Sequence, residues 1–584
     1  MKKILLMFCV LATLSATAQT NTFDDSKVNG AVGAGANDDT WETATNWSLG
    51  IIPTAAHDVV IADGKLAKIK VSGAVANTLT AIANGKVQIN AQKDLTVTGN
   101  ITAGTKSNIL FVTAAGKNMG TLIFGGTYTG GNISAKVRLP NNNKWHLIST
   151  PYKQVTIATY ISNATTIATG DSDGNGINSD GGGDKYSLAT YNDGNASGSK
   201  YSYYPNPLLG TEGNLEKGQG YSTLVNNISD TSKPDIQFKG KPNDADVFSP
   251  TLVYAGSGFV LLGNPFTAYV YANENADATK NLLTVNSGKL EQETIWLWDG
   301  TNSAWVTKNQ SDAAFHIAPG QGYFVKVKST VSGKFRTNED MQTHVRTGSM
   351  LKTSSIRFEI NLSMKAGKST KRTAIRFIDN TTTSFDNGYD SSLFSGYSSG
   401  TEIYTELVEN NSGKKLAIQS LPNSNFENMV VPVGVNAAAG SEIVFSTETL
   451  NIPSGYKVFL EDRTNNVFTR LDEANTEYKT TVSKSSTDGR FFLHTKTSSV
   501  LNIDSELLSG VSIYKTTNSN LRVSGLQKGK TTISLYNLIG KQVMTSSFEG
   551  ANVNNVSLPS LAKGVYIVKL KTTTGKLNKK IIIE

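Results

Sequence analysis

The chain has 584 residues, a formal net charge of +8, a pI of about 9.0, 53 glycines against 14 prolines, and one cysteine. That length calls for several domains of about 100–200 residues each. The lone cysteine, Cys9, excludes disulfides, cysteine nucleophiles and cysteine-ligated zinc or iron–sulfur sites downstream of it. The lysines are scattered rather than gathered into a basic patch, so nucleic acid is not an expected partner.

Residues 1–18 read as a cleavable signal peptide. Lys2 and Lys3 form the charged region, Ile4 to Leu14 the apolar one, and Ala16 and Ala18 offer small residues for cleavage before Gln19. The apolar run falls short of the roughly 20 residues that cross a bilayer. Phe8 precedes Cys9 in the middle of that run, which argues against lipidation. No later stretch is apolar enough to span, so the mature chain is expected to lack a transmembrane segment. From there on, short alternating apolar runs broken by Asn, Gly and Asp predict an all-β class, with several β modules in series.

Residues 41–140 are the first module. Trp41, Trp47, Gly50 and Pro53 lead into Val59, Val60 and Ile61, an opening that resembles the start of many large surface proteins of bacteria that use type IX secretion. Strands follow at near-regular spacing: 67–71, 86–90, 95–98, 109–112 and 121–124. Each is too narrow to bury itself alone, which predicts a β-solenoid; a sandwich stays open.

Residues 142–245 and 250–346 read as two copies of one β module. Trp145 to Tyr152 matches Phe259 to Phe266, Leu188 to Gly194 matches Ile295 to Gly300 with one residue dropped, and Gly218 to Tyr221 matches Gly320 to Tyr323. The prolines stop ladder pairing, the Asp-Gly steps predict positive φ, and Gly-Gln-Gly allows close backbone approach. The matched aromatics Trp145, Tyr191, Tyr221, Phe259, Trp298 and Tyr323 fit core packing, or else a sugar-stacking platform. Inside the first copy, Asp171, Asp173, Asn175 and Asp180 place oxygen ligands at alternate positions around Gly176, as calcium loops require. Gly182 stands where such a loop has its glutamate, and runs of this kind also make ordinary turns. Calcium is the one cofactor the sequence suggests.

Residues 354–495 predict a β-sandwich of seven or more strands, and 496–510 a linker. Gly396, Ser398 and Gly400 satisfy the nucleophile-elbow pattern, with Asp462 and His494 following in hydrolase order. An elbow needs a strand–turn–helix in a parallel α/β sheet, which this pattern lacks, so no catalytic residue is assigned. The histidines at 57, 146, 316, 344 and 494 show no metal-ligand spacing. Paired glycosidase carboxylates sit on different strands and leave no spacing to read.

Residues 511–584 change pattern. Tyr536 and Gly540 close one strand, Leu561 precedes Gly564 and Tyr566 in the next, and Lys579 and Lys580 open a terminal apolar run. Tyr566, Val568 and Leu570 share one strand face. This resembles the type A C-terminal sorting domain of the type IX secretion system, with Ala562 and Lys563 lengthening the spacer after Leu561. The resemblance implies recognition by the outer-membrane translocon, removal of the tail, and a cargo released to the medium or attached to surface glycolipid. The expected function is a non-enzymatic adhesin or structural surface protein; the alternatives are an array of glycan-binding modules meeting an extracellular glycan, or a secreted glycan hydrolase.

Overall fold

The computed structural model describes residues 18–24, 39–104, 108–112, 119–139, 144–163, 185–196, 200–205, 208–225, 235–346, 357–394, 400–424, 429–497, 508, 510–516, 519–573 and 575–583. The chain is all-β, with many sheets in series from Gln19–Phe23 to Lys576–Ile583; the described α-helices, Ile157–Asn163 and Leu282–Asn286, are short.

The first module is a three-sided parallel solenoid. One turn runs through His57–Ile61, Leu66–Ile69 and Ala74–Ala76, the next through Thr78–Ala81, Lys86–Ile89 and Asp94–Val97, the next through Ile101–Ala103, Ile109–Phe111 and Thr121–Phe124. Each side stacks in parallel register, so buried side chains form columns: Val59 on Leu79 on Ile101, Ala67 on Val87 on Ile109, and Ala76 on Val97 on Phe124. Alternation sends every second residue into these columns, each large one gaining about 1.5–3 kcal/mol from burial. The sandwich alternative therefore falls: strands of three to five residues gain a core only by stacking on the next turn. Trp41 and Trp47 plug the open end. Their rings meet edge to face at 4.8 Å, Phe23 joins at 5.0 Å, and Trp47 Nε1 donates to the Trp41 carbonyl at 2.7 Å. At the other end Ile133–Arg138 pairs antiparallel with Asp235–Pro242, which stops further stacking.

Two antiparallel sheets of four strands follow. The order in one is Lys144–Ser149, Gly220–Val225, Lys185–Tyr191, Tyr201–Pro205; in the other it is Phe259–Gly263, Gly322–Val327, Leu290–Asp299, Ala304–Asn309. They meet through reciprocal contacts. Ser149 N donates to the Gly320 carbonyl at 2.9 Å and Gly263 N to the Gly218 carbonyl at 3.2 Å, while Ile148 bridges Gln321 and Leu262 bridges Gln219. Each contact is thus made twice with roles exchanged, as in a two-fold interface. Positive φ occurs at Gly218 (+75°) and Gly320 (+73°), at this meeting line, and not at Gly194 or Gly300 as the Asp-Gly steps predicted. There side chains close the turns, Asn192 Oδ1 accepting from Gly194 N at 3.0 Å and Asp299 Oδ1 from Thr301 N at 2.9 Å.

Residues 357–497 form one continuous sheet that folds over its own core instead of two separate layers. Its end strands are Val467–Arg470 and Tyr478–Thr481. The last module packs a three-stranded sheet (Ser512–Lys515, Asn520–Ser524, Val553–Ser557) on a four-stranded one (Gln542–Gly550, Gly529–Asn537, Gly564–Lys571, Lys576–Ile583).

Candidate functional site

Asp171, Asp173, Asn175 and Asp180 lie outside the described residues, as does Ser398 of the elbow pattern. The other two members of that pattern are not arranged as a relay. Asp462, fully buried, accepts from Arg490 Nε at 2.9 Å and Nη2 at 2.7 Å and from the Tyr478 hydroxyl at 2.7 Å. His494 pairs instead with Glu461, Nε2 to Oε2 at 2.9 Å. Burial opposes the charge on Asp462 and on Glu461, yet Arg490 and Tyr478 on one, and His494 and Arg463 on the other, hold both carboxyls below the usual range. Burial pushes the His494 imidazole down against the pull of the Glu461 carboxylate. Asp462 joins the strand Tyr456–Asp462 to the end strand Tyr478–Thr481, and Arg490 Nη1 also donates to the Thr481 carbonyl at 3.0 Å. The network closes the folded sheet.

The remaining histidines are separately engaged. His57 Nδ1 lies 2.9 Å from Thr54 Oγ1, His146 is buried, burial pushes His316 down to about 4, and His344 bridges Thr96 and Thr121 at 2.9 and 2.8 Å. No group of three His, Cys, Asp or Glu that would hold a metal occurs among the described residues.

The matched aromatics do not make a platform. Tyr221, Phe259 and Tyr323 are buried. Trp145, Tyr191 and Trp298 are half-buried and packed at angles to neighbours: Trp145 on Tyr203, Tyr191 on Phe324 at 83°, Trp298 on Trp305 at 61°. Trp298 Nε1 donates to the Trp145 carbonyl at 2.8 Å, between the two sheets. Stacking a sugar needs exposed, coplanar rings; these are committed to the core because aromatic faces and edges are the largest apolar surface such thin sheets have.

What sequence spacing did not reveal is a set of charged side chains, buried or half-buried, that make hydrogen bonds or ion pairs at the seams between modules. Arg346 reaches the solenoid, donating to the Lys93 carbonyl at 2.9 Å and facing Asp94 at 3.7 Å. Asp193, in the first four-stranded sheet, accepts from Lys200 Nζ at 2.5 Å, the Tyr191 hydroxyl at 2.6 Å and, across the seam, Ser257 N at 2.6 Å. Burial works against its charge, and these donors outweigh it. Asp312 of the second sheet's module meets Arg376 of the folded sheet at 2.9 Å. Burial opposes ionisation there too, but the Arg376 and Lys308 charges draw Asp312 down to about 2. Lys200 and Lys308 are local to the aspartates they face, but each contact that crosses a seam, Ser257 to Asp193, Arg376 to Asp312 and Arg346 to Lys93, is distant in sequence, so only the fold brings those together.

In the last module the motif residues divide. Tyr566 is buried and donates to the Ala562 carbonyl at 2.8 Å, and Leu561 packs against the core. Gly564 N-terminally opens the strand paired with Ile583. Tyr536 donates to Gln542 Oε1 at 2.9 Å beneath Lys569, and Gly540, at φ +80°, closes the hairpin with Asn537. Lys580 is exposed and Lys579 half-buried on the terminal strand, while Leu538 and Ile539 at the hairpin tip are 72% and 87% exposed.

The family model described as a domain of unknown function, DUF8693, matches residues 32–494, which is most of the chain. The chain belongs to that family. A second family model, the secretion system C-terminal sorting domain, matches residues 516–584. The protein is thus a cargo of the type IX secretion system, exported to the cell surface or the medium through an interaction of this domain with the secretion machinery. No helix among the described residues is long and apolar enough to cross a membrane. No curated protein matches the chain. Among solved structures, a BSP domain of a biofilm associated protein aligns at 8% identity over 77% of this chain and 92% of that one, with a TM-score of 0.14, which carries no argument about fold or role.

Proposed function

We propose that the exported cargo is a non-enzymatic adhesin or structural surface protein, a series of β modules fastened into one body. The observation that supports this reading is where the buried charge goes. Arg346, Asp193 and Asp312 each join one module to another, and Asp462 with Arg490 closes a sheet. A charged group held in hydrogen bonds of this kind, buried or half-buried, holds geometry and is committed to the protein's own partners. The reading includes two further steps. Residues 1–18 act as a signal peptide that delivers the chain to the second export step. Residues 142–245 and 250–346 descend from one duplicated module, a view supported by their common strand order, by the reciprocal Ser149–Gly320 and Gly263–Gly218 bonds, and by matched turns: Tyr152 N donates to Thr150 Oγ1 as Phe266 N does to Asn264 Oδ1.

The test is a deletion strain of the producing bacterium, compared with its complemented parent for attachment to surfaces and neighbouring cells, alongside incubation of purified protein with polysaccharide, peptide and ester panels. Loss of attachment with no turnover is expected. Turnover of any substrate, abolished by a single carboxylate substitution, would falsify the non-enzymatic reading.

A further inference from the structure

Residues 498–507 link the folded sheet, which ends at Thr497, to the sorting module, whose described part begins at Leu508. The two bodies also meet along a polar seam. Arg463 of the cargo, its side chain 3% exposed, donates through Nη1 to the Gly525 carbonyl at 2.7 Å. Its guanidinium is positioned by Glu461 at 3.0 Å and lies 3.7 Å above the Phe492 ring. Asn411 Nδ2 donates both to Glu406 Oε2 at 2.8 Å and, across the seam, to Ser512 Oγ at 3.2 Å. Asn552 Nδ2 donates to Thr464 Oγ1 at 2.5 Å. Arg522 of the sorting module faces Asp488 at 3.9 Å, and Asp488 also accepts from the Tyr404 hydroxyl.

The backbones leave no room for side chains where they touch. A Cβ at Gly489 (φ +74°) would run into the Asn552 carbonyl and lie 2.5 Å from Gly525 N; one at Gly525 (φ +87°) would lie 3.0 Å from Phe492 Cζ. Glycine thus stands on each side of the contact for the same reason, a positive φ combined with close approach. Buried donors satisfied across a boundary, with backbone-to-backbone fit, are the anatomy of a specific interface.

We propose that the sorting module is a docked subunit of this cargo, held through an acceptor face made of Glu406, Asn411, Arg463, Thr464, Asp488 and Phe492, and that it stays bound after the 498–507 connection is cut. Hydrolysis of one peptide bond there consumes one water and leaves a carboxylate and an amine, and it changes none of the seam contacts. Release of the tail then takes two steps, proteolysis and dissociation, and the acceptor face becomes exposed only at the second.

The test uses the full chain with a site for a sequence-specific protease placed within 498–507. After complete cleavage, shown on a denaturing gel, size-exclusion chromatography at about 1 µM reads the outcome directly, a concentration at which only association of micromolar strength or better persists. Co-elution of both fragments is expected. Immediate separation would overturn the proposal, whether or not the freed fragment keeps its fold. Arg522→Glu, on the half-exposed sorting side, turns the contact with Asp488 repulsive and is expected to weaken association by about ten-fold or more. If the cut parent co-elutes while Arg522→Glu and Asn411→Ala both leave the dissociation constant unchanged, the acceptor face is refuted.

Discussion

The solenoid and the folded sheet of residues 357–497 are both β, yet they are secured by opposite means. In the solenoid the interior is a set of apolar columns, such as Val59, Leu79 and Ile101, and neighbouring turns contribute equivalent layers. In the folded sheet the closure depends on one fully buried carboxylate, Asp462, with Arg490 and Tyr478 around it. Apolar columns tolerate loss in increments because each layer stands partly alone. A buried ion pair fails at once, since removing one partner strands a charge away from water.

The largest effect should come from breaking that pair. Arg490→Ala is expected to destabilise the folded sheet by about 3–5 kcal/mol, read by urea unfolding of the full chain followed through the near-ultraviolet signal. The double change Asp462→Leu with Arg490→Met should recover most of the loss, because a buried pair replaced by apolar residues of similar volume costs little. A double variant as unstable as the single one would show that the network sets the geometry of closure and not only its charge balance. Next comes Leu79→Ala in the solenoid, expected to cost about 3 kcal/mol through a cavity between Val59 and Ile101. Hydrogen exchange should place that loss in the turns around residue 79 and leave the folded sheet protected. If both modules lose protection together, the seams transmit instability and the two regions do not unfold independently.

How far this was readable from sequence follows the same division. Six of the nine solenoid strands were legible because alternation and regular spacing are one-dimensional signals; 121–124 appears in the structure with the predicted limits and the others shift by one or two residues, whereas Ala74–Ala76, Thr78–Ala81 and Ile101–Ala103, of three or four residues each, are too short to show a period and were missed. In the folded sheet the strand Val430–Asn436 escaped notice. It is buried on both faces, so it does not alternate, and Pro432 and Gly434 read as breakers. The seam residues carried no signal at all. Arg376 and Asp312 are 64 positions apart across a seam, Arg490 and Asp462 of the closing network are 28 apart, and neither spacing has a period to detect. The sorting motif was legible as a pattern, but the pattern did not distinguish Tyr566, which builds the core, from the exposed Lys580.

Acidic groups sharpen the comparison through pH. Asp312, drawn down to about 2 by Arg376 and Lys308 against the cost of burial, contributes stability above the ordinary carboxylate range and loses it as pH falls toward 2. Glu406 behaves oppositely. Burial, aided by the Asp488 charge, pushes it up to about 7, so the folded state holds a proton that the unfolded chain releases near 4.5. Its favourable contribution is complete below about 4.5 and declines by up to about 3 kcal/mol as pH rises through 7. Asp390, pushed up to about 7 by burial, adds to the same decline. Melting temperature should therefore fall between pH 5 and pH 8. Glu406→Gln should remove part of that slope and Glu406→Gln with Asp390→Asn more of it. A slope unchanged in the double variant would mean that other groups govern this window.

The smallest effect is expected at the hairpin tip of the sorting module, and it separates residues that build the motif from residues that only project from it. Ile539 is 87% exposed, and the turn beneath it is closed by Asn537, whose side chain accepts from Lys541 N at 2.9 Å, and by Gly540 at φ +80°. Neither device involves the Ile539 side chain. Ile539→Ser should change stability by no more than about 0.5 kcal/mol, whereas Tyr566→Ala, which removes a buried ring and its bond to the Ala562 carbonyl, should cost several-fold more. Measuring both by thermal unfolding and following secretion of each variant distinguishes two ways of losing export. A defect confined to Tyr566→Ala traces to an unfolded signal. A defect in Ile539→Ser at unchanged melting temperature assigns the exposed tip to recognition.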